Sequence, residues 1–149
     1  LLIGLTRDSG PAQIARAALE GIALAVATLV ELAEEARGQP LLELAADGGA
    51  AAADLLLQAQ ADATGLPVLR RAALESTSRG VALLAGVQAG VLPDLSSWSR
   101  LADEPAPQRF SPRIDGPSRQ RWRARWHSAV ERSLHWHPQT ASVGAAESN

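Results

Sequence analysis

An acid followed by two glycines, Asp47-Gly48-Gly49, stands between a short apolar run and an alanine-rich stretch that reads as a helix. Two residues without a Cβ let the backbone approach a ligand closely, and the helix start beyond them presents unpaired N–H groups at the positive end of its dipole. In open α/β sheets ligands collect beyond the C-terminal ends of the strands, which is where this turn falls. The same pattern also serves as a plain tight turn, and the residues alone leave both readings open.

Other chemistry-bearing residues are sparser. Glu75-Ser76-Thr77-Ser78 opens a later helix on the same sheet edge, where Ser76 and Thr77 either contact a ligand or cap the helix. Arg16 and Glu20, one helical turn apart, read as a catalytic pair or as two charges that satisfy each other. Glu34-Glu35 and Asp103-Glu104 read as solvated, with no convergent partner for acid/base work. The histidines are His127, His135 and His137; ligands on one helix need spacings of three or four, so no metal site is expected. Arg119, Arg121, Arg123, Arg125 and Arg132 interleave with Trp122, Trp126 and Trp136 near the C-terminus. Such a helix either binds nucleic acid or a membrane surface, or packs through its tryptophans and keeps its arginines in water; Trp122 and Trp126 share a stripe with Val130 and Leu134, which favours packing.

The elements that position these residues follow from period and punctuation. Asp8, Ser9 and Pro11 start a helix whose apolar positions Ile14, Ala18, Ile22, Val26, Leu29 and Leu32 recur until Gly38 and Pro40 stop it. Its middle, Ala17 to Val30, is apolar nearly all round, so it should be covered on more than one side. Leu41 to Ala46 reads as a strand, Ala50 to Ala63 as a helix with Asp54 near its start and Gly65 at its stop, and Pro67 to Leu69 as a second strand. A helix over about Ser78 to Ala89 ends at Gly90. Leu95 to Leu101 reads as a short helix, Arg109 to Ser111 as extended and Ser118 to Trp136 as a final helix. Strand, helix, strand, helix is a βαβ unit with parallel pairing. Two strands make a poor sheet, so partner strands are expected from outside this sequence, along with an exposed strand edge and poor solubility.

Composition sets the limits. The 149 residues carry 14 basic and 16 acidic side chains, a net charge of -2, 46% apolar residues and no cysteine. That describes a globular chain without disulfides or thiol chemistry and without a bulk electrostatic pull toward nucleic acid or membrane. All the basic residues are arginine, so a lysine-bearing phosphate loop and Schiff-base chemistry are excluded. No apolar run is long enough to span a bilayer. Methionine is absent and the chain opens at Leu1 within an apolar run, which is read as the mark of a piece of a longer protein.

Taken together, Gly4-Leu5-Thr6-Arg7, Ile14 to Ala23, Asp47-Gly48-Gly49-Ala50, Leu57-Gln58 and Gln60-Ala61-Asp62 resemble the C-terminal domain of the FGGY carbohydrate kinases, and within them the glycerol kinases. Gly65 to Val68, Glu75, Thr77, Gly80, Leu84-Ala85-Gly86, Arg109-Phe110, Pro112, Trp126 and Ala129 to Arg132 continue the likeness. It implies an α/β fold: the distal half of a ribonuclease H-like domain of the actin, hexokinase and Hsp70 ATPase type, with short parallel strands and covering helices. Residues 1–137 would form the partial domain and 138–149 a disordered tail.

The resemblance further implies a cytoplasmic, homo-oligomeric enzyme that uses ATP and Mg2+ to phosphorylate glycerol. This segment would supply the adenosine side of the ATP cleft through Gly48, Gly49 and the position of Ala53. The family usually has asparagine at Ala53, and Thr77-Ser78-Arg79-Gly80 replaces its Thr-Ala-Leu-Gly. The glycerol site, the carboxylate base and the phosphate-binding hairpin belong to parts of the family's chain that precede this segment. No catalytic residue is therefore expected here, nor activity from the segment alone.

Overall fold

The computed structural model describes residues 1–71, 76–96 and 106–134. Helix α1, Pro11–Arg37, starts with proline in its first turn, where a missing N–H costs nothing, and Gln13 reaches back to the Gly10 amide at 3.1 Å. It stops at Gly38, whose φ of 64° lies in the left-handed region. Glu34 accepts a hydrogen bond from the Leu41 amide at 2.9 Å and so ties the following loop to the helix. The expectation that Glu34 is merely solvated is corrected by that bond.

Strand β1, Leu44–Ala46, leads through Asp47 and Gly48 into a single 3-10 turn, Gly49–Ala52, and then into α2, Asp54–Thr64. Gly65 closes α2 with φ 80°, and a Cβ there would lie 2.8 Å from the Arg119 guanidinium. Strand β2, Val68–Arg70, pairs in parallel with β1, Leu44 opposite Val68 and Ala46 opposite Arg70. Helix α3 spans Ser76–Gln88. Strand β3, Gln108–Phe110, runs antiparallel to β2 with Phe110 opposite Val68. Helix α4 spans Gly116–Ser133; it starts two residues before the expected Ser118 because the Asp115 carboxylate caps it, accepting from the Ser118 amide at 2.7 Å.

The sheet order is β1-β2-β3. The βαβ unit is present as the periodicity required, but the sheet has a third strand: the stretch read only as extended pairs with β2. Among the described residues the other edge of β1 has no strand beside it. Leu95 and Ser96 lie in a turn, while the rest of the short helix expected over Leu95 to Leu101, together with Asp103, Glu104, His135, Trp136, His137 and the 138–149 tail, lies outside the described residues.

Two apolar clusters hold these pieces. Ala23, Leu24 and Ala27 of α1 meet Ala59 and Ala63 of α2, with Trp122 and Trp126 of α4 laid against them. Ala51, Leu57, Ala61, Val68 and Phe110 join the turn and α2 to the sheet, flanked by Leu44 and Ala46. Small alanines on α1 and α2 allow the two helices a close approach.

The face of α1 turned inward is not the expected one. Ile14, Ile22, Leu29 and Leu32 are 40 to 64% exposed, whereas Ala23, Leu24, Ala27 and Val30 are buried. These two stripes lie on opposite sides of a helix with 3.6 residues per turn. An all-round apolar helix has two faces to cover, and the described residues cover the one rich in alanine.

Candidate functional site

The site is built by the chain reversal at the C-terminal end of β1. Gly48 has φ 81° and ψ 172°, a combination open essentially to glycine alone. That backbone state turns the strand outward and sets up the 3-10 turn, in which the Ala51 amide bonds the Gly48 carbonyl at 3.0 Å and the Ala53 amide bonds that of Ala50 at 3.2 Å. Gly49 has no positive φ, and a Cβ at either glycine would meet nothing within 4 Å. Protein packing therefore does not require a glycine at 49; the space in front of it is open.

Ala53 is the N-cap of α2. With φ −85° and ψ 100° it has the extended backbone that capping residues adopt, and its carbonyl accepts from the Leu56 and Leu57 amides at 3.0 and 3.2 Å. No side chain caps the helix. With the Leu56 and Leu57 amides taken by that carbonyl, no side-chain cap serves the Asp54 and Leu55 amides, the kind of helix-start donors that attract an anion. Gly48, Gly49 and Ala53, the three positions singled out for ATP, are brought together within one turn and one helix start.

A side chain that sequence reasoning missed stands behind this turn. The Arg70 guanidinium, at the end of β2, donates to the carbonyls of Ala51 at 2.9 Å and Ala52 at 3.2 Å, pairs with Asp54 at 2.7 Å and donates to the Gln108 side-chain oxygen of β3. Its central carbon is 5.4 Å from the centre of the Phe110 ring. Nothing in the sequence separates Arg70 from Arg71; only strand register gives one of them this place.

The remaining candidates have structural partners. Arg16 and Glu20 form an ion pair at 2.6 Å, and the hydrogen bond and charge of Glu20 hold the Arg16 guanidinium above its ordinary pKa. They satisfy each other as one reading expected, though on an exposed helix face. Asp62 accepts from the Arg113 amide at 2.6 Å and from Gln58 at 3.1 Å, and Gln58 also donates to the Ser111 carbonyl at 2.9 Å, so this pair staples α2 to the segment after β3. That segment and α2 border a groove of about 680 Å³ lined by Asp54, Leu55, Gln58, Arg109, Ser111 and Arg113 among others; neither Gly48 nor Gly49 reaches it.

Ser76 and Thr77 lie inside the first turn of α3 rather than before it, and Glu75 is outside the described residues. On α4, Trp122 and Trp126 pack inward while Val130 and Leu134 of the same stripe are exposed. Arg119 donates to the Asp62 carbonyl at 2.9 Å and the Ile114 carbonyl at 3.1 Å, and Arg121 to Ser118. Arg123 pairs with Glu31 of α1, and burial lowers its pKa from the ordinary arginine value. His127 stands 3.9 Å from the same Glu31. The Arg/Trp helix is thus tied to its own domain through Trp122, Trp126, Arg119 and Arg123.

A small mixed sheet with helices packed on it and a Gly-Gly turn after its first strand is an α/β fold, and the solved structures it resembles place it in the actin and hexokinase type. The model of the FGGY family of carbohydrate kinases, C-terminal domain, matches residues 1–89, and the chain belongs to that family. Among its relatives, the glycerol kinase of Dechloromonas aromatica is 47% identical over 135 residues and that of Rhodopirellula baltica 42% identical over 143, covering 91% and 96% of this chain. The chain spans 26% of the length of each.

In three dimensions it is similar to Plasmodium falciparum glycerol kinase, solved with ADP, with a TM-score of 0.72 and 30% identity over 88% of this chain and 26% of that one. The Lactobacillus acidophilus xylulose kinase, at 21% identity and TM-score 0.63 over 90% of this chain and 27% of that one, shares the fold. None of the helices among the described residues is long and apolar enough to cross a membrane.

Proposed function

We propose that residues 1–137 form part of the ATP-binding domain of a glycerol kinase and that the Gly48–Gly49 turn is the adenosine side of its nucleotide cleft. The observation that carries this reading is a conformational one. Gly48 holds a backbone state that side chains reject, Gly49 has open space where a Cβ would stand, and α2 starts a few residues further on without a side-chain cap. The glycerol kinase names of the relatives and the ADP in the Plasmodium enzyme agree with it.

In the whole enzyme the γ-phosphoryl of ATP would pass to a glycerol hydroxyl, giving glycerol 3-phosphate. Catalysis in such a transfer is positioning and neutralisation of charge. This chain's part is to bind and orient: backbone amides at the turn and helix start meet the nucleotide, and the absent Cβ at 49 lets it approach. Mg2+ would neutralise phosphate charge. Among the described residues no group of three or more acidic or histidine side chains is placed to hold a metal ion.

The test is calorimetric titration of the 149-residue chain with ADP, paired with the Gly49→Ala variant. We expect binding by the parent chain and a loss of about tenfold or more in the variant with an unchanged melting temperature. Equal affinity in both would refute the placement. Activity is tested by grafting the chain in place of the matching segment of the Dechloromonas enzyme: phosphorylation of glycerol is expected from the chimera and none from the chain alone.

A further inference from the structure

We propose that Arg70 is the positioning residue of the Gly48–Gly49 turn, a clamp that keeps the turn ready for nucleotide without touching it; the proposal rests on the nucleotide reading of that turn. Inside the turn the restraints are the backbone bonds Ala51 to Gly48 and Ala53 to Ala50 and the packing of Ala51 against Leu57, Val68 and Phe110. After two glycines come four alanines, Ala50 to Ala53, whose methyl groups can make no hydrogen bond, and only Ala51 among them is buried. A run of this kind loses much conformational entropy when ordered and needs an outside restraint.

Arg70 supplies it from four directions. One terminal nitrogen bonds the Ala51 carbonyl at 2.9 Å, the Ala52 carbonyl at 3.2 Å and the Asp54 carboxylate at 2.7 Å; the other donates to Gln108. A single planar group thus links β2, the turn, the first residue of α2 and β3, and its face lies over Phe110. The side chain is only 19% exposed.

Three consequences follow from this chemistry. Both terminal nitrogens are engaged with protein oxygens and the charge is paired with Asp54, so the guanidinium acts through the turn and not as a phosphate ligand. Lysine cannot replace it, because one ammonium on a flexible stem cannot hold the turn carbonyls and β3 in a fixed geometry. A turn held in its binding conformation before the ligand arrives spares the ordering cost on binding.

The experiment compares the parent chain with Arg70→Ala, Arg70→Lys, Gln108→Ala and the Arg70→Ala/Gln108→Ala double variant. It reads amide hydrogen exchange residue by residue, ADP affinity by calorimetry, and fold by circular dichroism. In Arg70→Ala the Ala51 and Ala53 amides should exchange about tenfold faster while buried α1 amides such as Ala27 stay unchanged, and ADP should bind about tenfold more weakly. Arg70→Lys should recover less than half of the loss. Gln108→Ala should weaken ADP two- to fivefold, and the double variant should match Arg70→Ala, because Gln108 acts through Arg70.

A folded Arg70→Ala with unchanged turn exchange overturns the proposal, as does faster exchange spread equally over all helices. Weaker ADP binding without faster turn exchange also overturns it, since that marks a direct ligand. Should Arg70→Ala fail to fold, Arg70→Lys and Gln108→Ala decide by the same local pattern. Should the parent chain not bind ADP, the nucleotide reading fails, and the exchange pattern alone still decides whether Arg70 is the clamp.

Discussion

Ala53→Asn places at one position two effects that the structure separates. Ala53 is the N-cap of α2 with the extended backbone of a capping residue, half-buried, and no side chain serves the amides of the first turn. An asparagine there can accept from the amide of Leu55, which the Ala53 carbonyl does not take, in the extended backbone the residue already has. Replacing alanine by a capping residue is worth ~1 kcal/mol, within a range of about 0.5–2. For a chain of this size that should raise the melting temperature by about 2–4 °C. The gain should be present without nucleotide, because it belongs to the helix.

Once its oxygen is used by the cap, the side chain keeps one amide group to offer a ligand. That limits the extra ADP affinity to one neutral hydrogen bond, about 0.5–1.5 kcal/mol, or about two- to tenfold. The assay is thermal unfolding of both proteins at several ADP concentrations, from which the ligand-free stability and the dissociation constant are both read. A variant no more stable without ADP would refute the capping geometry. A gain in affinity of about a hundredfold or more would refute the limit set by one hydrogen bond.

Further outcomes follow from the same geometry. Gly48→Ala should lose about 1–3 kcal/mol in urea unfolding because its φ of 81° with ψ 172° rejects a Cβ, even though open space surrounds the position. Trp126→Ala should cost about 2–3 kcal/mol, less than the 3–5 of a fully buried tryptophan, by removing the ring that lies against the α1 and α2 alanines; an unchanged midpoint would mean α4 is not docked. The Asp115 carboxyl is held below the usual carboxylate pKa, first by the Ser118 side chain, then by the Ser118 amide. Its capping contribution is therefore complete above the unfolded pKa of about 3.9 and fades as pH falls through the lower folded value. Asp115→Asn should be less stable than the parent at neutral pH, with the two unfolding curves converging in strong acid; a constant difference across pH would refute the charged cap.

Much of this protein is legible along the chain because its signals are local. Pro11 and Gly38 bound α1, Gly65 ends α2, and the Asp47-Gly48-Gly49 turn stands out because a reversal between strand and helix needs a glycine where φ is positive. These are properties of a residue and its immediate neighbours, so sequence suffices. The βαβ order was visible for the same reason, but the start of α2 was not: it lies at Asp54 and not at the expected Ala50, because a 3-10 turn over Gly49–Ala52 comes first.

Decisions between segments far apart in the chain were not visible. Whether Gln108 to Phe110 is merely extended or a third strand depends on a partner 40 residues away. Which stripe of α1 is buried depends on what packs against it: periodicity saw one apolar helix, and packing chose Ala23 and Ala27 over Ile22 and Leu29 because small residues let α2 approach. Arg70 is the clearest instance, since its partners come from the turn, α2 and β3, and only the folded sheet aims its guanidinium at all three. Sequence alone determined where the backbone turns and which family the pattern resembles, through torsional limits written residue by residue. Tertiary structure decided what holds the turn in place, because a hydrogen bond needs two groups at one point in space and the chain order does not bring them there.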